Sequence, residues 1–276
     1  MIIIKNSTLK VVPALILATI VSCNSGKNID GKEIVWNDEF NYSGLPDSAK
    51  WEYDTEGNEW GWGNDESQYY TKQRKENAWV RNGLLYITAR HESYEGRDFT
   101  SARLVTRNKG DWLYGRIEVR AKLPAGRGTW PAIWMLSTDW EYGGWPESGE
   151  IDIMENVGYN PDSVFSAVHT ATYNHSIGTQ KVAGIELADC DEEFHVYAME
   201  WDKKKINTYV DGNHVFSFSN EDTGYKEWPF DKRFHLLLNI AVGGTWGGAQ
   251  GIDTTIFPQV MEIDWVRVYK EAGGNE

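Results

Sequence analysis

Three acidic residues lie close together in an apolar stretch of the chain. The heptapeptide Gly-Glu-Ile-Asp-Ile-Met-Glu contains Glu150, Asp152 and Glu155. Hydrolysis of a glycosidic bond needs two carboxyl groups held a fixed distance apart, so this segment could carry that chemistry. Side chains on a flat strand alternate between its faces, so Glu150 and Asp152 share a face and Glu155 points away. A β-bulge near Ile153 and Met154 would return Glu155 to the face of the other two.

Three like charges that face one cleft cannot all ionise freely, so we expect their pKa values to be driven apart. Glu150 is the candidate nucleophile, and Glu155 is the candidate general acid/base. Asp152 lies between them and can hydrogen-bond the nucleophile and hold a proton for the group. The alternative is an acidic strand that faces water or binds a cation. The isoleucines and the methionine between the acids favour burial and the catalytic interpretation.

The rest of the chain indicates an all-β protein. Runs rich in β-branched and aromatic residues predict strands at 84–90, 115–123, 194–202, 235–242 and 261–269. Strict alternation over 116–123 predicts one buried face, and Asp211-Gly212 predicts a hairpin with a type I′ turn. No helical periodicity persists beyond a turn or two. Many short strands separated by turns favour a β-jelly-roll sandwich of two antiparallel sheets.

The acidic heptapeptide resembles the bulged active-site signature of glycoside hydrolase family 16. Six other segments are similar to blocks of that family, in the family's order: Trp36–Phe40, Gly63–Tyr70, Gly128–Leu136, Phe194–Trp201, Leu238–Gly244 and Ile263–Tyr269. The resemblance implies a jelly roll with a long cleft across its concave sheet. It is strongest to the laminarinase and lichenase branch. It therefore implies a retaining endo-β-glucanase that hydrolyses β-1,3-glucan or mixed-linkage β-1,3/1,4-glucan by double displacement.

Two other functions stay open. A galactan hydrolase of the agarase or carrageenase type would use the same scaffold. A sulfated galactan would favour a basic cleft, however, and the segments around the acids contain no cluster of lysine and arginine. A non-catalytic glycan-binding surface lipoprotein would be expected to have lost catalytic carboxylates, and all three are present.

Tryptophans and polar residues in the matching blocks are candidates for contacts with the sugar. Aromatic rings suit the apolar C–H faces of sugars, and the resemblance implies that Trp130, Trp134 and Trp145 line the subsites on the non-reducing side of the cleaved bond.

Four polar residues extend this predicted substrate site. Asn64 resembles a family position that binds sugar hydroxyls, with a turn residue as the alternative. Arg103 could reach the substrate, with surface ion pairing as the alternative. His169, one hairpin after the acidic strand, could line the leaving-group side, although a lone histidine is more often structural. Asn239 is a further cleft candidate.

Carboxylate chemistry of this kind requires no catalytic metal or cofactor. Many family members hold a structural Ca²⁺ on the convex side, and the resemblance implies a matching site formed by Asp264 and backbone oxygens near Glu39 and Gly83. Oxygen ligands suit Ca²⁺. A charged sheet edge without an ion is the alternative.

The first residues have the pattern of an export signal. Two lysines precede an apolar run at 11–21, which is too short for a permanent membrane span. The run ends in Val-Ser-Cys, which resembles a bacterial lipobox and predicts lipidation of Cys23; an ordinary signal peptide is the alternative. The predicted organisation is a signal peptide over 1–22, a tether over 23–33, the catalytic domain over 34–271 and a tail over 272–276.

A lipid anchor predicts attachment to the bacterial outer membrane, facing the cell surface. The chain has two cysteines, and lipidation of Cys23 would leave only Cys190, so no disulfide is expected. The formal net charge of −14 would repel a phosphate backbone, which argues against a nucleic-acid partner. We expect a monomer whose partner is a β-glucan polysaccharide.

Overall fold

The computed structural model describes residues 31–271; the predicted signal peptide, most of the tether and the C-terminal tail lie outside this range. In chain order the strands are β1 (Lys32–Asp38), β2 (Glu52–Tyr53), β3 (Gln68–Tyr70), β4 (Ala78–Arg81), β5 (Leu84–Tyr94), β6 (Arg97–Ser101), β7 (Arg103–Val105), β8 (Asp111–Trp112), β9 (Gly115–Lys122), β10 (Thr129–Ser137), β11 (Glu150–Val157), β12 (Asn160–His169), β13 (Lys181–Glu186), β14 (His195–Trp201), β15 (Lys205–Val210), β16 (Asn213–Ser219), β17 (Phe234–Val242) and β18 (Gln259–Glu271). Two short 3-10 turns lie at Gly61–Gly63 and His175–Ile177. Because β1 begins at Lys32, the last two residues of the predicted tether belong to a strand.

The strands form two sheets. The back sheet has the order β16-β15-β14-β9-β18-β5-β6-β3, with β1 beside β18 and β4 beside β5. The cleft sheet, so named because it carries the three acids, has the order β13-β12-β11-β10-β17-β7-β2, with β8 beside β17. One strand pair departs from the predicted antiparallel arrangement. The hairpin with β5 leaves an open edge on β6, and β3 joins that edge in parallel.

The main core fills the space between the sheets. It takes Leu85, Ile117 and Val119 from the back sheet and Ile133 and Leu238 from the cleft sheet, all fully buried. Burial of one such side chain stabilises the fold by about 1.5–3 kcal/mol.

The central strand β17 has both of its faces covered. All nine of its residues are buried. Leu238 points to the main core, whereas Leu237 joins a small second apolar cluster with Val105 and Leu136. A strand covered on both sides has a nearly continuous apolar sequence, which explains the composition of this segment.

The structure confirms the strands and the hairpin that the local sequence patterns predict. Each predicted strand overlaps an observed one, and the predicted hairpin is formed by β15 and β16. At its tip Asp211 and Gly212 have φ angles of 50° and 79°, the left-handed conformations that a type I′ turn requires. In β9 the polar face is less exposed than predicted, because Arg116 Nε donates to Glu118 at 2.7 Å and covers it.

Within residues 31–271, no helix has the length and apolar character that crossing a bilayer would require.

Candidate active site

The acidic strand β11 contains the predicted β-bulge. Residues 133–134 of β10 are consecutive, yet they pair with Met154 and Asp152, so Ile153 has no partner opposite it. The pairing with β12 breaks at the same place, between Asp152 and Glu155. The prediction of a bulge near Ile153 and Met154 is therefore confirmed.

The bulge sorts the side chains of β11 between two environments. Its isoleucines and its methionine are at most 2% exposed and lie in the main core. Glu150, Asp152 and Glu155 lie on the other face, as the spacing predicted. One extra residue thus corrects the odd step between Glu150 and Glu155.

Cross-strand pairing builds the floor of the site as three rows of residues, one row for each acid. The Glu155 row contains Arg103, Asn239, Ala132, Glu155 and Phe165. The Asp152 row contains Val105, Leu237, Trp134, Asp152 and Ala167. The Glu150 row contains His235, Leu136, Glu150 and His169. Candidates from distant parts of the sequence, including Arg103, Trp134, His169 and Asn239, therefore lie on one surface with the acids.

Burial raises the pKa of all three acids. The pKa values of Glu150, Asp152 and Glu155 each rise to about 8, with loss of solvent as the first cause. The charge of Asp152 adds to the rise in both neighbours, and His169 opposes it. Burial raises all three pKa values together, and the expected separation between them stays a prediction. A raised pKa allows a carboxyl group of this set to hold a proton near neutral pH, as a general acid requires.

Trp130 contacts one of the acids directly. Its indole Nε1 donates to Glu155 Oε1 at 2.9 Å. The Trp130 ring lies edge-on to Trp246 at 5.5 Å, and Trp246 in turn contacts Phe165 at 5.5 Å. An aromatic wall therefore stands beside Glu155, and Trp130 orients that carboxyl group as well as lining the cleft.

Arg103 is enclosed rather than exposed. Its guanidinium carbon lies 4.4 Å from the ring centroid of Trp62 and 4.6 Å from that of Trp134. Its Nε is 3.1 Å from a carboxylate oxygen of Asp54, and the residue is only 8% exposed. Arg103 does form an ion pair, as the alternative predicted, but the pair lies under two indole rings rather than on an exposed surface.

A buried hydrogen-bond chain fixes Trp134. The indole Nε1 donates to Asn239 Oδ1 at 2.7 Å, and Asn239 Nδ2 donates to the hydroxyl of Tyr70 at 3.0 Å. Tyr70 donates to Glu66 at 3.3 Å, and Asn64 Nδ2 donates to the other oxygen of Glu66 at 3.4 Å. Asn239, at 5% exposure, thus positions Trp134, while Asn64 is half-buried.

His169 and Trp145 lie side by side beyond Glu150. Their ring centroids are 6.0 Å apart, and His175 contacts both rings, at 5.2 Å from His169 and 4.9 Å from Trp145. Trp145 and His169 were predicted on opposite sides of the cleaved bond. In the structure they are adjacent, with His169 paired across the strands with Glu150, and their assignment to the two sides of the cleaved bond stays a prediction. Trp140 and Trp145 also pack on the small apolar cluster of the cleft sheet.

The side chains of Asp264 and Glu39, two of the residues at the predicted calcium site, form ion pairs on the back sheet. Asp264 Oδ2 accepts from Arg120 Nη1 at 2.5 Å, and the Glu39 carboxylate accepts from Arg267 at 2.7 and 2.8 Å. A Ca²⁺ ion bound to Asp264 would have to displace the Arg120 guanidinium from that carboxylate. The site stays a prediction.

Several residues of the site were missed from the sequence, namely Trp62, Glu66, Trp140, His175 and Trp246. Glu66 could have been predicted most easily, because it lies in the same family block as Asn64. A carboxylate in a strand-forming segment is a recognisable signal for burial with partners. The others depend on contacts between distant segments, which local patterns do not reveal.

Comparisons with known proteins agree with this geometry. The family model described as glycosyl hydrolases family 16 matches residues 64–267. A β-glucanase of Rhodothermus marinus is 53% identical over 269 residues, which cover 93% of this chain and 93% of that protein.

Solved structures give the same result. The laminarinase of Rhodothermus marinus superposes with a TM-score of 0.84 at 56% identity and covers 87% of this chain and 97% of its own. A mutant of SCLam, a non-specific endo-β-1,3(4)-glucanase with 1,3-β-D-cellobiosyl-glucose at its active site, has a TM-score of 0.85 at 45% identity, with 88% and 96% covered. The bulged acidic strand, its aromatic walls and these matches together establish that the chain belongs to glycosyl hydrolase family 16.

Proposed function

We propose that this protein is an endo-acting β-glucanase that hydrolyses β-1,3-glucan, mixed-linkage β-1,3/1,4-glucan or both, with retention of anomeric configuration. The observation that carries the proposal is the bulge at Ile153, which places Glu150, Asp152 and Glu155 together on the cleft sheet. The activities named for the Rhodothermus marinus relative and for SCLam support the choice of glucan.

The reaction follows two displacements. Glu150 attacks the anomeric carbon while Glu155 gives its proton to the glycosidic oxygen, so the leaving sugar departs as a neutral alcohol. Glu155, now ionised, then takes a proton from water, and the resulting hydroxide equivalent displaces Glu150 from the sugar. Both steps invert the anomeric carbon, so the overall configuration is retained.

The contacts of the two glutamates support this division of roles. Trp130 donates to Glu155 and holds it in place through both of its protonation states. His169 Nε2 lies 3.7 Å from Glu150 and opposes the rise in the pKa of that carboxyl group, which favours the ionised nucleophile. Asp152, only 2% exposed between them, is a reservoir for the proton that the group shares.

The walls of the site suit a neutral sugar. Trp134 offers a ring fixed from below by Asn239 and Arg103, and indole faces pack on the C–H face of a pyranose. Arg103 is already paired with Asp54, so it does not supply the free cation that a sulfated galactan would favour. The intact acids argue against a binding protein without activity.

Product analysis tests the proposal. The purified protein is incubated separately with laminarin, barley β-glucan, agarose and carrageenan, and the products are separated by size while their anomers are followed by NMR. We expect oligosaccharides of mixed length, with the β-anomer formed first, from one or both glucans. Release of products from agarose or carrageenan alone would overturn the substrate assignment and leave the mechanism standing.

The location of the enzyme is a second part of the proposal. Lipidation of Cys23, a residue outside the described range, would anchor the enzyme to the outer membrane with its cleft toward the medium. An endo-acting enzyme on that surface reaches polymers too large to enter the cell. Wild-type protein should fractionate with membranes and be cut by protease added to intact cells, whereas Cys23→Ala should lose the membrane fraction. Complete protection from protease would place the enzyme in the periplasm.

Two smaller expectations complete the proposal. A monomer should give a single mass near that of one chain by light scattering. A structural Ca²⁺ would raise the melting temperature when calcium is added to chelator-treated protein, and Asp264→Ala should abolish that increase. An unchanged melting temperature would remove calcium from the proposal.

A further inference from the structure

Three atoms that can ligate a metal ion, one each from Glu150, Asp152 and His169, lie close together, and no hydrogen bond joins them. His169 Nε2 lies 3.3 Å from Asp152 Oδ2 and 3.7 Å from Glu150 Oε1, and one atom from each residue falls within 4.8 Å of the others. Neither short contact has hydrogen-bond geometry. Asp152 Oδ2 is buried without a hydrogen-bond partner among the described residues, and Asp152 and His169 are 2% and 6% exposed.

The distances from His169 Nε2 to Asp152 and to Glu150 are close to those between two ligand atoms of a zinc ion. Zinc binds imidazole nitrogen and carboxylate oxygen at about 2.0–2.2 Å in a tetrahedron, which places its ligand atoms about 3.3–3.6 Å apart. A set of one imidazole and two carboxylates is typical of zinc, whereas Ca²⁺ takes six to eight oxygens and Mg²⁺ keeps several waters. The observed 3.3 Å lies at the lower end of the tetrahedral range and 3.7 Å lies just above it, and all three ligand atoms lie within 4.8 Å of one another.

We infer that Glu150, Asp152 and His169 form a binding site for Zn²⁺ that switches the enzyme off. The ion takes one ligand atom from each residue and leaves its fourth position to water on the cleft side. Glu150 cannot attack an anomeric carbon while its lone pair is bound to zinc, so the ion and the glucan exclude each other. The dication also offsets the carboxylates of Glu150 and Asp152, which have no lysine or arginine partner among the described residues.

Glu155 is not part of this site. Trp130 holds one of its oxygens at 2.9 Å, and it lies on a different cross-strand row from Glu150 and His169. The site therefore takes the nucleophile and leaves the general acid in place. Zinc should suppress formation of the glycosyl-enzyme rather than its hydrolysis.

Binding is measured without any reference to activity. The full-length protein, treated with chelator, is titrated with Zn²⁺ by calorimetry, and with Co²⁺ while visible absorption is recorded. We expect one ion per chain and the intense absorption of tetrahedral Co²⁺. His169→Gln and Asp152→Asn should each weaken zinc binding at least about tenfold. The matched control is His214→Ala, which removes an exposed histidine of β16 on the back sheet, and it should bind zinc as the wild type does.

Inhibition is the second measurement, and it rests on the proposed function. Zinc should inhibit laminarin hydrolysis competitively in the wild type and in His214→Ala, and a chelator should restore the rate. Zinc binding that is unchanged in both His169→Gln and Asp152→Asn, each shown to be folded by circular dichroism, would overturn the inference. So would a pale, octahedral Co²⁺ spectrum. A protein that binds zinc at this site but cleaves no glucan would refute the proposed function alone.

Discussion

The acids of the back sheet and the acids Glu150 and Asp152 of the cleft sheet differ in the partners that they have. On the back sheet the acids meet arginines, as in Glu118 with Arg116 at 2.7 Å and Asp264 with Arg120 at 2.5 Å. On the cleft sheet neither Glu150 nor Asp152 accepts a hydrogen bond from the described residues, and their ion-pair partner is a histidine. The same fold therefore pairs these acids of the back sheet with arginines and leaves Glu150 and Asp152 without a lysine or arginine partner among the described residues.

This difference separates stability from chemistry. Cross-strand pairs of opposite charge stabilise a sheet, but they also occupy the lone pairs of the acid. Unpaired acids in a site with little solvent cost free energy, and they keep their protons and lone pairs available to a substrate. The cleft sheet carries that cost, while the back sheet and the core supply the stability that offsets it.

The largest effect should come from the nucleophile. Glu150→Gln keeps the shape of the side chain but cannot form the glycosyl-enzyme, so kcat should fall at least about a thousandfold. Binding of an oligosaccharide, measured by calorimetry, should survive. The matched control is Glu118→Gln on the back sheet, which removes a paired acid and should retain most of the activity. Near-normal turnover by Glu150→Gln would end the comparison.

The second effect concerns proton transfer. Glu155→Ala should be nearly inactive on glucan, yet an activated aryl glycoside needs no acid in the first step and should still form the glycosyl-enzyme. Azide should then rescue turnover and give a glycosyl azide of retained configuration. An inverted azide from Glu150→Ala, with no rescue of Glu155→Ala, would exchange the two roles.

The third effect uses two buried histidines. On the back sheet His195 has Asp211 at 2.7 Å and Asp189 at 3.3 Å. On the cleft sheet His235 has no carboxylate partner among the described residues. Burial, followed by the charges of Arg107 and Arg103, lowers the pKa of His235 to about 3.

The low pKa of His235 should therefore make the free energy of unfolding fall as the pH is lowered. The neutral ring contributes its full stability above the unfolded pKa of about 6.5, and that contribution is lost as the pH falls toward 3. Glutamine does not titrate, so His235→Gln should lose about 2 kcal/mol less than the wild type between pH 7 and pH 5. Urea unfolding at both pH values measures the difference. Parallel losses in the two proteins would show that His235 is not the sensitive group.

The smallest effect should come from a partly exposed ion pair of the back sheet. Arg120 and Asp264 are each about one-third exposed, so Arg120→Ala should cost at most about 1 kcal/mol in the free energy of unfolding. Added salt should reduce that difference. A loss of several kcal/mol would mean that the back-sheet pairs hold the fold together, which the comparison does not require.

The sequence predicted what depends on local periodicity. Alternation located the strands, Asp211-Gly212 located a turn, and the odd step between Glu150 and Glu155 required the bulge that the structure contains. These inferences need neighbouring residues only.

What the sequence did not predict depends on register between distant strands. The enclosure of Arg103 by Trp62 and Trp134 joins three segments, and no local pattern shows that they meet. The parallel pairing of β3 with β6 has the same cause. The common rise of the three pKa values depends on how deeply the finished fold buries them, and a sequence does not give that depth.

The bulge also makes one point of the chain tolerant to a change in length. Removing a residue from an ordinary strand reverses the orientation of everything that follows it. In β11 the surplus residue is already present at Ile153. Deleting it would make the step from Glu150 to Glu155 even, and all three acids would still face the substrate. Such a deletion would remove the local bend that the bulge gives the strand. This strand can therefore lose one residue and keep its set of reactive groups, while the shape of the surface offered to the sugar changes.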